Sequence, residues 1–180
     1  KGLDVDKWRQ VCVRKNVSQT KECMDQPLHV LLDAACTQRD ASRELIDALA
    51  AVQNVDVNEA EAWADQLRKE AASPQSDRRI QVMALVGFVC LANAPLAMGL
   101  VDASLFDMLA SLTNTSSNEI ETCAMAHLLS EGASHTALRS KLATRPSIEH
   151  WLSAHAQISV TDERVQVCLD LMRIKFAIGT

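Results

Sequence analysis

Tyrosine is absent from this sequence of 180 residues, and aromatic residues together make up 3% of it. Glycine occurs five times and proline four. With so few turn formers and no β-branched run in strict alternation, an all-β barrel or a doubly wound sheet has no support. No glycine-rich loop follows a strand pattern to cradle a phosphate, and no serine sits in a GxSxG turn. The longest apolar run, Val82 to Val89 continued through Ala92, is too short to span a bilayer, so no membrane partner is expected. A formal net charge of −5 lacks the positive footprint that phosphate contacts require, and there are few rings on which bases could stack. Nucleic acid is therefore excluded as the expected partner. The six cysteines, Cys12, Cys23, Cys36, Cys90, Cys123 and Cys168, form no CxxC pair and have no clustered histidines. Zinc-ligand spacing is missing, and the cysteines read as small hydrophobes of a reducing, cytoplasmic setting. The chain opens on Lys1 with no leader-like segment, which reads as a domain taken from something longer.

What is present is aliphatic. Apolar residues make up 48% of the chain, so the interior must be filled by Leu, Ala, Val, Ile, Met and Cys. Such a core suits helices packed at close range, and the expected class is all-α. A weak helix covers Leu3 to about Lys15, and a stronger one starts at Gln26 and Pro27 with Leu28, Leu31, Leu32, Ala35 and Cys36 on one stripe. Arg39 and Asp40 are expected to break it before a helix over Ser42 to Val52. Asn58 with Glu61, and Ser116 with Glu119, have capping-box spacing. Ser73 and Pro74 mark another helix start. From about Asp77 to Ala92, Ile80, Met83, Ala84, Gly87, Phe88 and Leu91 recur at helical spacing and predict a long amphipathic helix. Asn93, Ala94 and Pro95 stop it. A short helix over Leu96 to Leu100 follows, then one from Asp102 carrying Leu105, Met108, Leu109 and Leu112.

Three segments repeat one another. Ile80-Gln-Val-Met-Ala-Leu, Ile120-Glu-Thr-Cys-Ala-Met and Val165-Gln-Val-Cys-Leu-Asp each follow a polar cap, at offsets of 40 and 45 residues. Upstream, Leu105-Phe-Asp-Met-Leu-Ala matches Ile148-Glu-His-Trp-Leu-Ser at an offset of 43 residues. A period of 40 to 45 residues made of a short helix and two longer ones is the signature of armadillo or HEAT-type solenoids. A single unit of this kind cannot bury its own apolar face, and stacking makes the core continuous.

In the run Leu91 to Leu109 the chain resembles the armadillo family, where such a segment joins one third helix to the next unit. The resemblance implies a right-handed α-solenoid of about three armadillo-like repeats over residues 58–180, with third helices near residues 77–92, 119–130 and 161–177. Residues 1–57 would form an irregular N-terminal helical part, or a degenerate repeat. The implied core positions are Ile80, Ala84, Phe88 and Leu91, then Ile120, Ala124 and Leu128, then Val165, Leu169 and Phe176, with Arg173 out of pattern. In armadillo proteins the third helices line a concave groove, which makes Val86, Cys90, Ala126, Ser130, Leu171 and Lys175 the groove-facing candidates. The Trp and Asn ladder of importin-like members is missing there, against binding of a basic targeting peptide.

The irregular repeats of Leu85 to Leu112 and Glu119 to Leu142 look most like the central region of the UCS family of myosin chaperones. That resemblance implies a non-enzymatic, cofactor-free scaffold whose protein partner is the myosin motor or a chaperone. A regulator of small GTPases is a second class found among armadillo proteins, and a structural spacer is a third. The apolar end Ile174, Phe176, Ala177 and Ile178 points to continuation of the array or to self-association through the C-terminal helix. Arg78 and Arg79, at a helix start that the macrodipole does not favour for cations, form a docking candidate. Trp8 is a candidate interface anchor, whereas Trp151 aligns with Met108 on a core stripe. His127 reads as a packing histidine. His150 and His155, five apart, point to different faces rather than sharing a metal.

Overall fold

The computed structural model describes residues 39–52, 55–158, 160 and 162–177, together with Leu31, Leu32 and Ala35. The described residues form helices and no strand, in agreement with the all-α expectation. In chain order the helices are α1 (Arg39–Ala50), α2 (Val57–Ala71), α3 (Ser76–Ala92), α4 (Ala94–Asp102), α5 (Leu105–Asn114), α6 (Glu119–Gly132), α7 (Thr136–Ala143), α8 (Pro146–His155) and α9 (Glu163–Phe176). The expected helices at Leu3–Lys15 and most of that from Gln26 lie outside the described residues, as does Trp8.

Local chemistry sets the boundaries, with several corrections to the expected starts: Ser73 and Pro74 lie in the turn before α3, whose N-cap is Gln75, and Asp102 ends α4 rather than starting α5. Asp56, not Asn58, caps α2: its Oδ1 accepts from the Asn58 N–H at 2.7 Å. Asn118, not Ser116, caps α6, accepting from the Ile120 N–H at 2.9 Å, while Ser116 Oγ accepts from the Asn118 N–H one step earlier. In both cases the residue just outside the helix has extended backbone and a short carbonyl-bearing side chain, which outcompetes a capping box two residues away. Arg39 and Asp40, expected to break a helix, are themselves helical and belong to α1. Between α4 and α5, Ser104 takes a left-handed conformation, φ 61°, and the two helices bend by 69°. Among the described residues no single helix is long and apolar enough to cross a membrane.

The helices pack in two series. In one, α3 lies between α1 and α6, and α6 lies between α3 and α9. In the other, α5 lies between α2 and α8, while the short helices α4 and α7 contact each other. Helices separated by one period of the sequence therefore touch, and each buries what its predecessor leaves open. The core is aliphatic throughout, with Trp63, Phe106 and Trp151 as its large rings. Gly99 lets α4 approach α2 closely: a Cβ there would stand 2.9 Å from that of Ala60.

The face assignment within α3 and α6 differs from expectation. Val82, Met83, Leu85, Val86, Val89 and Cys90 are all fully buried in α3, whereas Ile80, Ala84 and Phe88 are partly buried and Leu91 is 44% exposed. A helix with neighbours on both sides is apolar nearly all round, and of the stripe chosen by spacing Met83 and Gly87 are buried while Ile80, Ala84, Phe88 and Leu91 lie toward the more open side. In α6, Ile120 is 62% exposed in the first turn, while Met125, Leu128 and Leu129 are buried. Ile80, Ile120 and Val165 thus share a sequence pattern but not a degree of burial. In α9 the expected register holds, with Val165 and Leu169 buried.

Asn93 joins the two series at their corner. It ends α3, caps α4 by accepting from the Leu96 N–H at 3.0 Å, and donates through Nδ2 to the carbonyls of Leu49 (3.0 Å) and Val52 (2.9 Å) at the end of α1. The residue is buried, so each lost partner leaves a desolvated polar group. Asn93→Ala should lower unfolding stability by about 3 kcal/mol in urea titration. Asn93→Asp should lose as much despite keeping the cap, because a carboxylate would then face two carbonyls.

Candidate functional site

Four of the groove candidates are interior. Val86, Cys90 and Ala126 have no exposed surface and Ser130 is 2% exposed, because α3 and α6 are covered on both sides by the adjacent helices of their series. Burial pushes the Cys90 thiol far above its ordinary value, and the nearby Glu131 carboxylate adds to the shift, so this thiol is chemically quiet. The other two, Leu171 and Lys175, lie on α9, which packs chiefly on α6. Leu171 is 46% exposed. Lys175 reaches back instead, its Nζ donating to the Ser130 carbonyl at 2.8 Å and to Ser134 Oγ at 2.9 Å.

Arg79 is an internal residue rather than a docking point. Its guanidinium donates to both carboxylate oxygens of Glu121, at 3.0 and 2.9 Å, and through Nε to the Ala71 carbonyl at 3.2 Å. The Glu121 side chain is 1% exposed, so this pair ties α3 to α6 in a nearly dry setting. Arg78 is more open and holds Gln81 Oε1 at 3.1 Å, with Glu70 at 3.9 Å. Two arginines adjacent in sequence therefore have different tasks, because a helix turns them about 100° apart.

The described histidines separate as well. His127 is exposed, 3.7 Å from Glu131, and not a packing histidine. His150 is exposed and His155 is buried, on different faces as their spacing requires. His155 stacks on Trp151 with centroids 3.9 Å apart, and its Nδ1–H donates to the Trp151 carbonyl at 2.8 Å. Burial lowers its pKa below the ordinary imidazole value near 6.5, opposed in part by that hydrogen bond. Trp151 is buried, as its alignment with Met108 implied. Among the described residues no group of three or more His, Cys, Asp or Glu side chains is placed to hold a metal ion.

Two features go beyond the reading by residue type, although that reading singles out Leu171 and Ile174 individually. The first is a stripe on α9: Val167 (56% exposed), Leu171 and Ile174 (69% exposed) lie at i, i+4 and i+7 on one outward face. The second is a pair of sulfurs. Cys123 on α6 and Cys168 on α9 stand with Sγ atoms 3.1 Å apart, and the Cys123 S–H donates to Cys168. Both thiols are partly exposed. Burial first, then the hydrogen bond to Cys168, pushes the Cys123 thiol up to about 12. The repeat already contained the signal, since both cysteines hold the fourth place of their aligned segments.

Comparison with protein-family models gives no match for this chain, and comparison with curated proteins gives none either.

Two expectations follow from this geometry. Removing one partner of a buried pair strands the other's charge, so Glu121→Ala or Arg79→Ala should each cost about 3 kcal/mol in chemical denaturation. The double variant Arg79→Met with Glu121→Leu should recover most of that loss. For His155 the folded state resists protonation relative to the unfolded chain. Its contribution is therefore complete above the ordinary value near 6.5 and is lost progressively as the pH falls below it. Unfolding free energy should drop between pH 7 and pH 5, and His155→Phe, which keeps the stacked ring, should flatten that drop by up to about 1.4 kcal/mol per pH unit.

Proposed function

We propose that the chain is a non-enzymatic protein-binding scaffold, an armadillo-like right-handed solenoid in which α9 presents the contact surface. In this reading α4–α5–α6 and α7–α8–α9 are two three-helix units, α2–α3 are the last two helices of a preceding one, and α1 is the third helix of a degenerate repeat before that. The contacts between helices one period apart support it, as does the recurrence of the short, long, long pattern. The observation that carries the functional half is the outward stripe of Val167, Leu171 and Ile174. Apolar side chains at i, i+4 and i+7 form the ridge that an amphipathic helix of another protein covers when helices dock.

Among partners, the myosin motor domain is the one implied by the resemblance of Leu85–Leu112 and Glu119–Leu142 to the central region of the UCS chaperones. The chain would then act as a scaffold that assists myosin folding in the cytoplasm. The same stripe also favours a second reading, in which α9 pairs with α9 of another copy as a structural spacer.

Capture of purified myosin motor domain by the immobilised chain, set against a panel of small GTPases, tests the first reading. Binding of the motor should weaken at least tenfold in Ile174→Asp and Leu171→Asp, and be unchanged in Glu149→Gln on the far series. No capture of the motor, or capture indifferent to the stripe, would remove it. Sedimentation that depends on concentration and reverts to monomer in Leu171→Asp would establish the second reading instead.

A further inference from the structure

Among the described residues, the inter-helix sulfur pair is a chemically reactive arrangement that neither the packing nor the scaffold reading uses. Cys123 lies in the second turn of α6 and Cys168 in the second turn of α9, and the two helices pack along their length. Their Sγ atoms are 3.1 Å apart, closer than two sulfurs in simple van der Waals contact and about 1 Å beyond the length of a disulfide bond. Partial exposure of both leaves them open to a small oxidant. No large backbone movement is needed to close the remaining gap, because the two helices already touch at this point.

We propose that Cys123 and Cys168 form a reversible redox site, in which hydrogen peroxide converts the two thiols into a disulfide that staples α9 to α6. Burial, the contact with Cys168 and the nearby Asp162 carboxylate all disfavour the Cys123 thiolate, so of the two sulfurs in contact Cys168 takes the first oxidation. As the thiolate it attacks one peroxide oxygen and the O–O bond breaks. The products are a sulfenic acid on Cys168 and hydroxide, which takes up the proton released from Cys168 to become water. The Cys123 sulfur then attacks the Cys168 sulfur. The S–O bond breaks, and the hydroxyl leaves with the Cys123 proton as a second water. Two thiols lose two electrons, and one peroxide gains them. Thiol–disulfide exchange with a small dithiol reverses the link. Burial first, then the contact with Cys168 and last the Asp162 carboxylate, disfavour the Cys123 thiolate, which makes this a resolving rather than an attacking sulfur.

The consequence is mechanical. A covalent tie between residues 45 apart closes a loop that contains α7 and α8, and it restricts how far α9 can move from the stack.

The test uses the full 180-residue chain, folded, with stoichiometric hydrogen peroxide, alkylation of the remaining thiols and non-reducing peptide mapping. A Cys123–Cys168 linked peptide should dominate, together with a rise in melting temperature of about 5 °C that dithiothreitol reverses. Cys123→Ser should stop at a sulfenic acid on Cys168 that dimedone traps, and Cys168→Ser should give neither the link nor the rise. A far-ultraviolet circular dichroism spectrum like the parent's shows that each variant folds. Sulfinic or sulfonic acids on either cysteine without a link, or links of either one to Cys12, Cys23, Cys36 or Cys90 in its place, would overturn the proposal.

Discussion

Carbonyls at helix ends, several of them without a backbone partner, are the constraint on which this structure depends. Each helix ends with four carbonyls that its own backbone cannot satisfy, and a stack of short helices accumulates such ends in its interior. Here the neighbouring helices supply the donors. Asn93 serves the end of α1, Arg79 that of α2 at Ala71, Lys175 that of α6 at Ser130, and Arg173 that of α8 at His155 with 3.0 Å. Arg68 and Arg145 both reach the end of α4, at the carbonyls of Ala103 and Val101. The positive groups also meet the negative ends of the helix dipoles, so hydrogen bonding and electrostatics favour the same arrangement.

The aliphatic core depends on this supply of donors. Leu, Ala, Val and Met side chains exert attraction without direction, and would let helices slide along one another. Directed bonds from one helix to the end of another set the register that the greasy contacts then fill. Arg79 does both at once, capping α2 while pairing with the almost dry Glu121 of α6. The same economy explains the outer surface. Several of the arginines and lysines are engaged with backbone carbonyls, and the most exposed apolar stripe lies on α9, whose chief neighbour is α6 alone.

Much of the helical layout was legible in the residues. The stop at Asn93, Ala94 and Pro95, the long helix ending at Ala92 and the α6 start at Glu119 all follow from local chemistry that does not need the rest of the fold. The faces of the inner helices were not legible. In α3, Ile80, Ala84, Phe88 and Leu91 match an amphipathic pattern, but Val82, Val86, Val89 and Cys90 are apolar as well, so periodicity could not say which side is covered. In α9, Gln166, Asp170 and Arg173 interrupt the apolar positions and the register could be read. Arg79 shows the other limit: a cation at a helix start looks misplaced until Glu121, far along the chain, is beside it.

The sequence by itself determined that the described part of the chain is helical, where α3 ends and α6 begins, and that similar segments return every 40 to 45 residues. These depend on interactions within a few positions, such as a cap, a proline or a turn of apolar spacing. Tertiary structure alone decided which helix faces are buried, that Val86, Cys90, Ala126 and Ser130 lie inside, and that Cys123 meets Cys168. Burial and proximity of that kind are properties of pairs of helices, and a one-dimensional pattern that is apolar on every side does not contain the direction from which its neighbour will come.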